Sequence, residues 1–176
     1  LDPTRLLAAA LVLLAYLALC LLLCWRHHRR QRPAAGPDTP WQVVFASQTG
    51  SAEALALNTA KALEMAGLPV QCRPLNALSA DQLQAGGHYL LLLSTCGDGD
   101  APDNAARFAR NLLTRSLNLS RVSFGLLALG DHDYPAYCGF GRRVAQWLGA
   151  QGGRALFAPI EVHRNDPHAL ARSEER

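Results

Sequence analysis

The sequence predicts an open parallel α/β sheet with helices on both faces, preceded by one transmembrane helix. Three observations carry this. Five short apolar runs alternate with helical segments from residue 41 onward, the pattern of a doubly wound sheet. Two of the runs are apolar almost throughout, as strands buried on both faces are. Ahead of them stands an uncharged apolar stretch of about 20 residues, enough for a helix to span the hydrocarbon core.

That first stretch, "LLAAALVLLAYLALCLLLCW" (6–25), holds no charge, Gly or Pro. "RHHRRQR" follows it, so four arginines lie on one side and Arg5 alone on the other. The excess places the C-terminal side in the cytoplasm. A secretory signal would carry its basic cluster in front and a small-residue cleavage site behind, whereas here the basic cluster sits behind the apolar core and no A-x-A site follows it. Residues 1–32 are therefore expected to be a membrane anchor with a basic flank. His27 and His28 fit the lipid headgroup region better than a metal. "PAAGPDTP" (33–40), with three prolines and a glycine, is a linker, and 41–176 is the folded domain.

Within that domain "WQVVFA" (41–46) is the first strand. "SAEALALNTAKALEMAG" (51–67) has helical spacing and stops at Gly67. "PVQCRP" (69–74) is a strand whose flanking prolines put it at an edge. "HYLLLLS" (88–94) and "SFGLLALG" (123–130) are the buried strands. Between them, 104–116 is expected to be a helix with Ala105, Phe108, Leu112 and Leu113 on one side and Arg107, Arg110 and Arg115 on the other. A helix over 139–152 and a strand over 154–162 complete the alternation, and "DPHALARSEER" begins a short last helix.

Composition excludes several functions. Of 17 Lys and Arg, five lie in the first 32 residues, leaving twelve against thirteen acids. A near-neutral domain without a basic face is no nucleic-acid binder. The five cysteines show no C-x-x-C and no zinc spacing, as suits free thiols in a reducing compartment.

In parallel sheets ligands bind at the carboxyl ends of the strands. Polar, glycine-containing loops follow the first, third and fourth strands: "SQTGSAE", "STCGDGDAPDN" and "GDHDYPAYCGFG". The first offers hydroxyls from Ser47, Thr49 and Ser51, close approach at Gly50 and free N–H groups at a helix start, an anion cradle. It is neither a Walker loop nor G-x-G-x-x-G. A single phosphate held without a basic side chain fits, and so does an ordinary Ser/Thr helix cap.

The second loop resembles a calcium loop only at first sight. Counted from Asp98, its fifth position is Pro102, its sixth Asp103 rather than Gly, and its twelfth Ala109. Asp98, Asp100, Asp103, Asp131 and Asp133 repel phosphate, so the second and third loops suit the other end of a ligand or a basic partner. Tyr134 and Tyr137 are free to stack on a flat ring or to pack on the domain rim.

"VVFASQTGSAE", "STCGDGDAPDNA" and "LALGDHDYPAYCGFGR" resemble the three FMN loops of the flavodoxin-like domain of diflavin reductases. The similarity is greatest to the flavoprotein subunit of sulfite reductase, and it covers about 41–162. It implies a flavodoxin-like five-stranded sheet of order 2-1-3-4-5. It implies that Ser47, Gln48, Thr49, Gly50, Ser51 and Ala52 hold the FMN phosphate, that Thr95, Cys96 and Gly97 run beside the isoalloxazine, and that Ser94, Asp98 and Gly99 belong to the same cofactor site. The Gly97 carbonyl would meet N5–H of the one-electron reduced flavin. Asn104 would cap the next helix near the ribityl chain. Leu129, Gly130, Asp131, Tyr134, Tyr137, Cys138 and Gly139 complete the implied site, with Tyr134 stacked on the ring. Many relatives carry an aromatic residue where this chain has Cys96, so the comparison implies that the ring is stacked from one side only. The anchor is placed as in microsomal cytochrome reductases, and as in bacterial fusions that carry a membrane region before a sulfite-reductase-like flavoprotein.

The function implied is an electron-transfer module with no acid, base or nucleophile of its own, the FMN part of an NADPH-dependent flavoprotein oxidoreductase. It would receive electrons from an FAD/NADPH reductase module, downstream or on another chain, and pass them to a haem or metal-centre acceptor. The rival is a non-redox signalling or scaffold domain tethered to the membrane. A receiver domain would need paired acids after the first strand and a lysine after the fifth, and both are missing. A hydrolase would need G-x-S-x-G, which is also missing.

Overall fold

The structure, a computed structural model, describes residues 39–163. The expected membrane span over 6–25, its basic flank, most of the linker and the expected last helix lie outside the described residues. Among the described residues no helix is long and apolar enough to cross a membrane.

The elements run β1 (Trp41–Ala46), α1 (Ser51–Met65), β2 (Val70–Pro74), α2 (Ala80–Ala85), β3 (Gly87–Ser94), α3 (Ala106–Asn111), β4 (Val122–Gly130), α4 (Gly139–Ala150), β5 (Arg154–Ala155) and β6 (Ile160–His163). The sheet order is 2-1-3-4-5, with β6 also on β4, and every pairing is parallel. This is the predicted order.

Alternation along β1 sorts its side chains by face. Val43 and Phe45 join Leu92 under Ala56 and Ala60 of α1. Val44 and Ala46 join Leu91, Leu93, Leu126 and Ala128 on the other face, beneath Leu83, Phe108, Val144 and Trp147. Each fully buried Leu or Val there contributes roughly 1.5–3 kcal/mol. Helix α1 ends as Gly67 predicts: its φ is +81°, Gly67 N–H donates to Glu64 O and Leu68 N–H to Leu63 O. That pair of bonds is a Schellman motif.

Three elements differ from expectation. Residues 104–116 are not one helix: a 3₁₀ turn at Asp103–Ala105 leads into α3, which stops at Asn111. Tertiary partners take the backbone groups beyond it. Trp147 Nε1 donates to Arg115 O at 3.1 Å, and Leu117 N–H donates to Gln151 Oε1 at 2.7 Å. The apolar face is buried as expected at Ala105, Phe108 and Leu112.

The strand expected over 154–162 is two short pieces. Between them the Phe157 ring sits so close over Gly125 that a Cβ there would lie 2.5 Å from its Cζ, and Pro159 has no N–H for a ladder. Helix α2 is an addition to the expected elements. Its signal is "SADQ": Ser79 Oγ accepts from Gln82 N–H, and the Gln82 side chain accepts from Ser79 N–H, a capping box.

Candidate functional site

The loops after β1, β3 and β4 emerge side by side because those strands are neighbours and parallel. They line one cleft of about 350 Å³. Gln48, Thr49 and Ser51 come from the first loop, Ser94, Thr95, Cys96 and Gly97 from the second. Leu129, Gly130, Asp131, Tyr134, Tyr137 and Cys138 come from the third, with Ala136, which sequence reasoning missed.

In the first loop Gly50 is left-handed at φ +87° and caps α1 without any side-chain bond. The first N–H groups of the helix therefore keep no partner inside it. Thr49 Oγ1 and Ser51 Oγ lie 3.2 Å apart. Ser47 is 9% exposed, and its hydroxyl has no hydrogen-bond partner among the described residues. Ala52 is outside the cleft lining, fully buried with Leu129 and Val162.

The second loop is a tight turn closed by Cys96 N–H to Asp100 O at 3.0 Å and Asp100 N–H to Cys96 O at 2.8 Å. Gly97 (φ +46°) and Gly99 (φ +98°) supply its left-handed positions. Their surroundings differ. A Cβ on Gly97 would meet nothing within 4 Å, whereas one on Gly99 would lie 3.1 Å from Ala136 Cβ. Gly99 and Gly139 thus let the second and third loops touch, and they stay outside the cleft lining. Asp98, Asp100 and Asp103 are exposed.

Asn104 does not cap the next helix. Its Oδ1 accepts from Ser47 N–H at 2.9 Å and ties the first loop to the second. Asn76 takes the helix instead, accepting from Phe108 N–H at 2.9 Å. A second tie is the Cys96 thiol, which donates to Gln48 Oε1 at 2.9 Å. Burial, then Asp103 and Asp100, push that thiol above its ordinary range, so it keeps its proton.

The third loop is braced from β6. Glu161 holds Arg142 through two bonds of 2.6 and 2.7 Å. His163 Nδ1 accepts from His132 N–H at 3.2 Å. The His132 ring stacks on Tyr137 at 3.8 Å and on His163 at 4.8 Å. Arg142 lies 5.8 Å over the Tyr137 ring. Burial and Cys138 push the Tyr137 hydroxyl up to about 12. Tyr134, by contrast, is 51% exposed. Cys138 is buried at φ +52° and donates its thiol to Ala128 O at 3.3 Å. Sequence reasoning also missed Arg143, whose Nη2 donates to Gly99 O at 2.8 Å.

The chain matches the flavodoxin family over residues 43–175. It is 35% identical over 132 residues to the sulfite reductase [NADPH] flavoprotein alpha-component of Bacillus subtilis (strain 168), covering 74% of this chain and 22% of that protein. It is 35% identical over 133 residues to methionine synthase reductase of Caenorhabditis elegans, covering 70% and 19%. The chain thus spans about a fifth of the length of these relatives. Among solved structures, a cysteine-to-serine mutant of flavodoxin from Pseudomonas aeruginosa superposes with a TM-score of 0.66 at 25% identity, over 78% of this chain and 93% of that one. Sheet order, the three-loop cleft and a family match over most of the chain agree: the chain belongs to the flavodoxin family.

Proposed function

We propose that this chain is the FMN module of a diflavin-type electron-transfer system. It relays electrons from an FAD/NADPH reductase module to a haem or metal-centre acceptor. The observation that carries this reading is the convergence of three loops on one cleft, with a buried and unpartnered Ser47 hydroxyl in the first of them.

The residues fit the cofactor. A phosphate needs donors without a bulky cradle. The Ser47, Thr49 and Ser51 hydroxyls and the free N–H groups at the start of α1 supply them, with Gly50 open to approach. A flat ring needs apolar and aromatic flanks with an adaptable backbone beside it. Tyr134, Leu129, Thr95, Cys96 and Gly97 supply those. When bound, FMN supplies one- and two-electron redox chemistry, and the protein orients it and tunes its potential. Asp131, Tyr137 and Cys138 shape the third side of the cleft. Ala52, Gly99, Asn104 and Gly139 act through packing and loop ties, and Asp98 belongs to the rim.

Exposed Asp98, Asp100, Asp103 and Asp133 favour a basic docking face on the partner. We assign residues 6–25 to a single membrane span, with the domain on the cytoplasmic side and 33–40 as its tether. Support comes from the uncharged apolar stretch and the arginines behind it.

The visible spectrum of the purified chain tests the core of this reading. Flavin absorption, or its appearance on adding FMN, is expected. A colourless protein that refuses FMN ends the proposal and favours the non-redox scaffold. Protease protection in membrane vesicles tests the topology, with the domain expected to be cut only from the cytoplasmic side.

A further inference from the structure

We infer that Arg143 is a positioning residue: by holding the carbonyl of Gly99 it fixes one side of the Cys96–Asp100 turn and confines the turn's freedom to the Gly97–Asp98 peptide. The inference rests on the FMN reading for its functional consequence, though not for its structural part.

Helix α4 reaches the second loop at two points. Its second residue, Phe140, donates its N–H to Thr95 Oγ1 at 3.3 Å, just before the turn. One turn further along, Arg143 Nη2 donates to Gly99 O at 2.8 Å, just before the turn closes. The base of the turn is locked by its own Cys96 and Asp100 bonds, and Gly99 N–H donates to Cys96 O at 3.2 Å. Gly99 is also packed: a Cβ on Gly139 would lie 3.2 Å from Gly99 Cα. Every peptide group of Gly99 is therefore committed.

Gly97 is the opposite case. It is exposed, left-handed, and has open space where a side chain would stand. Gly97 also lines the cleft. The turn is thus fixed at Gly99 and free at Gly97, and the free side faces the site. A guanidinium suits this task because it is charged at every working pH and its hydrogen bond to a carbonyl is stronger than a neutral one. Without it, the Gly99 carbonyl loses its donor, and the Gly99–Asp100 peptide, held then only through its Asp100 N–H, loosens beside the Gly97–Asp98 peptide. A ligand that needs one backbone geometry beside it would then have to order both.

The test compares the full chain with Arg143→Met, which keeps the stem and removes the donor, and Arg143→Lys, which restores a cation. Hydrogen exchange is read first without FMN. In Arg143→Met the Gly99 and Asp100 amides should exchange about tenfold faster, with β1, β3 and β4 unchanged, and Arg143→Lys should recover much of the protection. With FMN, the dissociation constant should rise about tenfold in Arg143→Met and its midpoint potentials should shift. Unchanged exchange at Gly99 and Asp100, or a uniform increase across the sheet, overturns the inference. If no variant or parent binds FMN, the proposed function fails, and the exchange data without FMN still decide the role of Arg143.

Discussion

The Cys96 thiol and the Gln48 side-chain oxygen meet at 2.9 Å and join the loops after β1 and β3 across the cleft. A proton-keeping thiol is what this contact requires, and burial beside Asp103 and Asp100 provides it. Cys96→Tyr removes the tie and sets an aromatic ring in the cleft wall. FMN is expected to stay bound, with midpoint potentials shifted by on the order of 30 mV, about 1.4 kcal/mol for a two-electron couple. Spectroelectrochemical titration reads this, and curves superimposed on the parent would place Cys96 away from the ring.

The two tyrosines of the third loop should separate by readout. Tyr134 is half exposed in the cleft, so Tyr134→Ala removes a stacking face worth about 1–2 kcal/mol. The FMN dissociation constant should rise roughly tenfold in a fluorescence titration. Tyr137 is in contact with the His132 ring and lies near the Arg142 guanidinium. Tyr137→Ala should lower the melting temperature and change FMN affinity less. The reverse order would exchange their roles.

Gly130 marks where β4 must pass close beneath the third loop. A Cβ there would lie 2.6 Å from Cys138 N, 2.8 Å from Tyr137 Cδ2 and 2.9 Å from Cys138 Sγ. Gly130→Ala should cost about 1–3 kcal/mol by overpacking and weaken FMN binding as the loop shifts. Gly149→Ala is the control, since a Cβ there meets nothing within 4 Å. It should stabilise α4 by up to about 1 kcal/mol. Urea unfolding of both variants measures the contrast.

Alkaline stability follows from Cys138. Burial pushes its thiol from 9.0 up to about 11, so the folded chain holds that proton more tightly than the unfolded chain. The resulting stabilisation is complete below pH about 9 and is lost as pH rises through about 11. Cys138→Ser keeps a hydroxyl donor for Ala128 O and removes the titration. Between pH 8 and 10.5 its melting temperature should fall less than the parent's, by the equivalent of about 1–2 kcal/mol. Cys72 and Cys96 remain in both proteins, so the difference reports Cys138 together with the Tyr137 hydroxyl that it pushes up. Parallel melting curves would contradict it.

Electron transfer from a reductase module should slow as salt rises, because the exposed rim aspartates steer a basic face. Stopped-flow rates between about 50 and 500 mM salt check this. A salt-independent rate removes the steering role from Asp98, Asp100, Asp103 and Asp133.

Periodic features were legible in the sequence. Apolar runs such as "HYLLLLS" announce strands because a strand buried on both faces must be apolar at every position. Parallel pairing then brings the loops to one end, so a shared cleft followed from order alone. What stayed hidden depends on side chains meeting across the fold. The seat of Phe157 on Gly125, the capture of Arg115 O by Trp147 and the turn of Asn104 toward Ser47 are long-range contacts, and no local period encodes them. Helix α2 is a different case. "SADQ" carried a capping signal, but six residues are too few for a helical period to emerge.

The brace on the third loop comes late in the chain. All three loops are complete by Cys138, whereas Glu161 and His163 follow more than 20 residues later. A chain emerging from the ribosome therefore displays every cleft residue before it owns the strand that steadies them. Maturation of the site is tied to the docking of β6, the last strand among the described residues. A protein stalled or clipped between Arg142 and Glu161 would retain the whole motif set and still lack a settled third loop.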